Sequence, residues 1–270
     1  MRKICIINQK GGVGKTTTTV NLGAGLSRLG KKVLIIDLDP QGNVAVCLDN
    51  SSYKDMYDFL MESAELKECV QNLGKNLDII TSKETLTKAE QMLVNETQRE
   101  TFLRRKLKQI KGYDYVLLDC PPSLGLLNLN ALLYANEAFI PVSTDVLGMH
   151  GLRAMIEAVN DVAEAFDHDI KVTKIIPTLH DRRNKICVQM LTKLKNEYYE
   201  LVSEPIMVCS KLKEAPASGK SIFNYAKSSQ AAKDYLCLVN QTAHDEMAMK
   251  TSETEELDSS NIVKKLMATS

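Results

Sequence analysis

The feature that most constrains this chain lies at its start, where residues 3 to 17 read KICIINQKGGVGKTT. Lys3 to Asn8 is a short apolar run rich in β-branched residues, the pattern of a strand buried on both faces. It runs without a spacer into Gly11, Gly12 and Gly14, and then into a helix-forming stretch from Lys15 to Leu29 closed by Gly30. A strand, a glycine-rich turn and a helix N-terminus in that order aim backbone N–H groups and the positive end of a helix dipole at an anion. The usual phosphate-binding loop is G-x-x-x-x-G-K-[ST]. Here Gly14, Lys15 and Thr16 supply its end, but Gln9 stands where the first glycine belongs, and a second lysine, Lys10, precedes the glycine pair.

Each residue type in the loop has a reason to be there. Gly11, Gly12 and Gly14 let the backbone approach phosphate oxygens and adopt turns that a Cβ would hinder. The N–H groups from Gly11 through Val13 and Gly14 are therefore expected to cradle the phosphates. Lys15 is placed to contact the β- and γ-phosphates, and Thr16 to offer its hydroxyl to Mg²⁺. Thr17 is placed to bond an α-phosphate oxygen. The loop thus implies a bound nucleotide with β- and γ-phosphates, and Mg²⁺.

Further buried strands are expected at Lys32 to Asp37, Leu77 to Thr81, Tyr113 to Asp119, Ala138 to Val142 and Val172 to Ile176. Helical patterns separate them, notably Arg99 to Ile110, Leu124 to Tyr134 and Gly151 to Phe166, with another helix around Gln230 to Asn240. This alternation predicts an α/β fold: a doubly wound, mostly parallel sheet with helices on both faces. At 270 residues the chain is read as one nucleotide-binding domain over 1–250 and a tail over 251–270, acidic in TSETEELDSS. The last residues, NIVKKLMATS, make a poor membrane-surface helix, and no apolar run approaches the ~18 residues that span a bilayer. Lys and Arg together number 34, as do Asp and Glu, so no bulk charge draws the chain to nucleic acid or membrane. The seven cysteines include no C-x-x-C pair, which argues against a zinc site and fits buried thiols in a reducing compartment. A cytoplasmic location is expected.

Two acidic stations complete the pattern. Asp37-Leu38-Asp39-Pro40-Gln41-Gly42-Asn43 ends a predicted strand, at the edge where doubly wound sheets bind ligands. Its carboxylates either hold a metal-bound water or cap the helix that follows. Leu117-Leu118-Asp119-Cys120-Pro121-Pro122 ends a second strand in Asp119, positioned to hold a Mg²⁺-bound water.

KGGVGKTTT, DLDPQGN and LLDCPPSLG, in that order and spacing, resemble the ParA family of P-loop NTPases with a deviant Walker A loop. IPVSTDVLGMHGL and KLKEAPASGKSI extend the resemblance from Met1 to about Asn240. It implies that the nucleotide is ATP, and that Lys10 is a signature lysine that crosses an ATP-sandwich homodimer to reach the partner's nucleotide. It implies further that Asp39 positions the hydrolytic water and Asp119 is the Walker B acid, both meeting the metal through water. Lys10, Lys15 and Asp39 are thus the expected catalytic residues, and loops near Thr178 and Met207 the expected adenine contacts. The resemblance also implies non-specific DNA binding, with Arg182, Arg183, Lys211, Lys213 and Lys220 as candidates. Two departures bear on this: Lys211 stands where the family commonly has arginine, and Met207-Val208 where it has a Pro-Arg pair. Lysine keeps the charge but loses the planar fork that fits phosphate.

The implied function is a slow, partner-stimulated ATPase that partitions plasmid or chromosome, held on the nucleoid until a ParB-like partner triggers release. The alternatives are a MinD-like membrane-cycling positioner and a ParA-like positioner of a protein cargo. A nitrogenase-type reductase would need cluster-bridging cysteines, for which Cys120 has no motif-matched companion.

Overall fold

The structure is a computed structural model and describes residues 1–246. The predicted tail over 251–270 lies outside the described residues. Seven strands form one sheet in the order β3-β4-β2-β5-β1-β6-β7. They are β1 (Arg2–Ile6), β2 (Val33–Asp37), β3 (Gln71–Asn72), β4 (Leu77–Ile80), β5 (Tyr115–Asp119), β6 (Glu137–Ser143) and β7 (Lys171–Thr178). All neighbours pair in parallel except the edge strand β3, which runs antiparallel to β4. The doubly wound sheet expected from the sequence is therefore present.

The central strands are buried on both faces because successive side chains point to opposite sides. Ile4, Ile6, Ile35 and Leu117 enter the core that helix α1 (Lys15–Arg28) shares with Tyr235, Leu238 and Val239 of a C-terminal helix, residues 230–246. Cys5, Ile7, Leu34 and Leu118 enter the opposite core. There they meet Leu127 and Ala131 of α3 (Leu126–Tyr134) and Leu152 and Met155 of α4 (Val146–Ala165). A short helix, α2 (Asn43–Cys47), follows β2, and α5 (Lys211–Ala217) lies later in the chain.

Three expectations change. The helix predicted from Gly151 starts at Val146, where the Asp145 side chain caps it. The single helix predicted over Arg99 to Ile110 is three short turns, with an α-helix only at Phe102–Lys106. The Asn130 side chain accepts from Leu103 N and donates to the Arg99 carbonyl, so tertiary bonds replace helical ones there. The strand predicted from Tyr113 starts at Tyr115, because Asp114 closes a turn: its side chain accepts from Lys32 N.

Candidate nucleotide site

The loop between β1 and α1 is held by its own side chains. Asn8 Nδ2 donates to the Pro141 carbonyl at 2.7 Å, while Asn8 Oδ1 accepts from Lys10 N at 2.9 Å. Thr178, at the end of β7, donates its hydroxyl to the Val13 carbonyl at 2.8 Å. Gly12 and Gly14 have φ of +72° and +88°, left-handed conformations in which a side chain would be strained. Gly14 is also the N-cap of α1, and no side chain caps that helix. Its first N–H groups thus lack a protein partner, the arrangement that binds phosphate.

Lys15 folds back over this turn, its Nζ donating to the Lys10 carbonyl at 3.3 Å. Burial lowers its pKa, and the charges of Asp119 and Asp39 work in the other direction. Thr16 donates to Asp119 Oδ2 at 2.6 Å and Thr19 to Asp119 Oδ1 at 2.9 Å, so α1 is fastened to the end of β5. Parallel pairing puts Asp119 beside Asp37 at the end of β2. Burial raises the Asp119 carboxyl to about 6, against the hydrogen bonds from Thr16 and Thr19 and with the help of Asp39's charge. Burial and then the Asp119 charge lift Asp37 well above the carboxylate range.

The two acids of DLDPQGN divide their tasks. Asp37 takes the capping role: its oxygens accept from Asp39 N at 2.9 Å and from Val44 N, in the first turn of α2, at 3.1 Å. Asp39 spends Oδ1 on Gln41 N at 3.0 Å, while its main-chain carbonyl accepts from the Ser82 hydroxyl. Among the described residues no protein donor meets its Oδ2, which leaves that oxygen available to a water.

These groups fit Mg²⁺. Carboxylates whose own burial and mutual repulsion raise their pKa are relieved by a cation. Among the described residues no three His, Cys, Asp or Glu side chains form a cage of direct ligands. Mg²⁺ suits such a site, since it keeps several waters and takes few protein ligands alongside phosphate oxygens. Thr16 would be the direct ligand and Asp119 and Asp39 would hold its waters. The ion would supply charge neutralisation for the phosphates.

Lys10 is placed differently from the other loop residues. Its Nζ donates to Ser143 Oγ at 3.0 Å and pairs with Asp145 at 3.0 Å, the last residue of β6 and the second residue beyond it in the same chain. Asp145 is also the N-cap of α4 and accepts from Gly148 N at 2.7 Å.

A cavity of about 370 Å³ opens beside the loop, and Thr178 and Met207 both line it, as expected for adenine contacts. Residues that sequence reasoning passed over complete it: Leu179, Ile206, Val208, Leu212 and Tyr235. No local motif marks them, because they come from distant segments. Lys213, a candidate for DNA contact, lines this cavity too. Of the other basic candidates, Arg183 is doubly hydrogen-bonded to Asp181 and Lys211 is paired with Glu214 at 2.7 Å. Arg182 and Lys220 are exposed, and Arg182 and Arg183 sit around a separate hollow with His180 and Gln230.

The chain matches a family model described as AAA domain over residues 1–172. It is 37% identical over 246 residues to the sporulation initiation inhibitor protein Soj of Bacillus subtilis, covering 89% of this chain and 97% of that one. It is 35% identical to the chromosome-partitioning ATPase Soj of Treponema pallidum, covering 89% and 96%. Among solved structures, cobyrinic acid a,c-diamide synthase from Mycobacterium smegmatis with bound ATP analogue and magnesium superposes at TM-score 0.78 and 30% identity, covering 89% and 93%. The ATP complex of a Cyanothece McdA variant superposes at TM-score 0.81 with 22% identity, covering 90% and 96%, a likeness of fold alone. With its loop, its acids and these relatives together, the chain belongs to the ParA/Soj family of P-loop ATPases.

Proposed function

We propose that this chain is a DNA-partitioning ATPase that works as an ATP-sandwich homodimer. The observation that carries the reading is the loop itself: an uncapped helix N-terminus with Lys15 folded over it, and a second lysine, Lys10, beside it. Lys15 and the N–H groups of α1 would hold the phosphates, and Thr16, with Asp119 acting through water, would hold a Mg²⁺ that neutralises their charge. Asp39, with its free carboxylate oxygen, orients the attacking water. Lys10 leaves Ser143 and Asp145 to meet the γ-phosphate of the partner copy, where it stabilises developing charge as an arginine finger does. That step can occur only when two copies face each other, which makes closure and hydrolysis interdependent.

The closed dimer binds DNA without sequence preference, through Arg182, Arg183, Lys211, Lys213 and Lys220, and is nucleoid-associated in the cytoplasm. A ParB-like partner on the cargo stimulates hydrolysis and releases it. Support comes from relatives named chromosome partitioning protein ParA in Myxococcus xanthus and Caulobacter vibrioides, at 36% and 32% identity. A second reading, positioning of a different cargo, is favoured by 34% identity to the cell division protein PomZ of Myxococcus xanthus. Among the described residues no helix is long and apolar enough to cross a membrane, so stable insertion is not part of either reading.

The test is retention on duplex DNA with ATP, with ADP and with no nucleotide, at two salt concentrations. Phosphate contacts release counterions, so retention that needs ATP and weakens steeply with salt is the expected result. Equal retention in all three states, or none in any, would contradict the reading.

A further inference from the structure

A cluster of positive charge without acidic partners lies at the end of the sheet opposite the nucleotide loop. RRKLKQIK, residues 104–111, carries five basic side chains in eight positions. Its first turns pack near the start of β1 and bound a cavity of about 540 Å³ with Lys3, Gln98 and Tyr134. Arg104, Arg105 and Lys108 line this cavity from one side. Lys3 Nζ lies 4.8 Å from the centre of the Tyr134 ring.

Acidic groups do not balance this cluster. Among the described residues no ion pair holds Lys3, Arg104, Arg105 or Lys108, whereas Arg183 and Lys211 are each tied to a carboxylate. The partners of Arg105 are neutral: the Thr97 carbonyl and Gln98 Oε1. Burial lowers the pKa of Lys3, and the charge of Arg104 lowers it further. A second, independent observation concerns Tyr134. It is 3% exposed and lines the same cavity, yet its hydroxyl has no hydrogen-bond partner. Burial raises its pKa, so it stays protonated and able to donate. A buried donor without an acceptor is destabilising, and a phosphate oxygen reaching it from the cavity would relieve that cost.

We propose that this cavity is a second anion site, remote from the nucleotide loop, that takes a phosphate group of a polyanion. The Arg104 fork matches tetrahedral phosphate oxygens, Arg105 and two lysines add positive charge, and the volume lies within the range of small-ligand sites. The phosphate has two possible sources, a nucleic-acid backbone and a free polyphosphate. The proposal does not depend on the partition reading.

The test uses the full chain with its loop saturated by Mg-ADP, titrated calorimetrically with inorganic triphosphate, and separately retained on duplex DNA with ATP. Arg104→Gln/Lys108→Gln should weaken triphosphate binding at least tenfold with basal ATPase unchanged, and Tyr134→Phe should weaken it severalfold. If the backbone is the source, DNA retention falls as well, and its salt slope drops by about two, one for each cation removed. If a free polyphosphate is the source, retention is unchanged. A double variant that matches wild type in both assays overturns the site. DNA retained by wild type in no nucleotide state would sink the partition reading, and the triphosphate arm would still decide this one.

Discussion

Lys10 and Asp119 are each held by contacts that the proposed dimer closure and metal binding would change. The Lys10–Asp145 pair is substantially exposed, at 34% and 46% for the two side chains, and pairs of that kind contribute roughly 0–1 kcal/mol. The contact is therefore a weak tether. Asp145→Asn keeps an N-cap for α4 but removes the charge, so it should cost little stability. In saturating ATP it should lower the concentration needed for dimerisation, by at most about thirtyfold, since a dimer releases two such pairs at up to about 1 kcal/mol each. Sedimentation across protein concentrations would show it, and weaker dimerisation in Asp145→Asn would contradict a tether. Asp119 gives a pH signature. Its folded carboxyl titrates near 6, above the ordinary value of 3.8, so the folded state binds more protons between those values. Asp119 should accordingly contribute a fall in the stability of the nucleotide-free protein as pH rises through about 4 to about 6, in addition to the fall that the raised Asp37 contributes. Asp119→Asn should flatten that slope in melting temperatures recorded across the window. An unchanged slope would mean Asp119 is already ionised there.

Among the elements, α1 packs closely against its neighbours through two glycines, Gly23 and Gly25. A Cβ placed on Gly25 would stand 2.3 Å from Val239 and 3.1 Å from the Phe223 ring, and one on Gly23 would stand 2.7 Å from Ile35. Gly25→Ala gains about 1 kcal/mol in helix propensity, but overpacking costs about 1–3 kcal/mol, so the net expectation is a loss of up to about 2 kcal/mol in urea unfolding. A stabilised Gly25→Ala would mean the C-terminal helix yields freely. How far such elements could be read from sequence follows from how local their causes are. β1, β2, β5 and β6 are continuous apolar runs and stood out as such. β3 is the pair Gln71–Asn72, with no pattern to read, and the segment from Arg99 to Ile110 lost its helix to the side chain of Asn130. The phosphate loop was legible because glycine, lysine and threonine must be consecutive to work. The wall of the adjoining cavity was not, since Ile206, Val208 and Tyr235 meet only after folding. The division between Asp37 and Asp39 likewise needed the structure, because either carboxylate alone reads as cap or catalyst.

At the scale of the whole molecule, the fold gathers the glycine loop and its acids at one end of the sheet and a basic cavity at the other. In this account the unit of catalysis is two chains, each site pairing its own Asp39 with the partner's Lys10. Lys10→Ala and Asp39→Ala should each abolish hydrolysis while retaining nucleotide binding, the first by removing the trans charge and the second by removing the carboxylate that orients water. Their mixture distinguishes trans from cis action. In a heterodimer, the Lys10→Ala protomer keeps its own Asp39 and receives an intact Lys10 from its partner. The central claim is tested most directly by the ATPase rate of an equimolar mixture of the two variants, in the presence of DNA. If Lys10 acts across the dimer, random pairing should restore about a quarter of the wild-type rate; if the mixture stays as inactive as either variant alone, Lys10 acts within its own chain and the account is wrong.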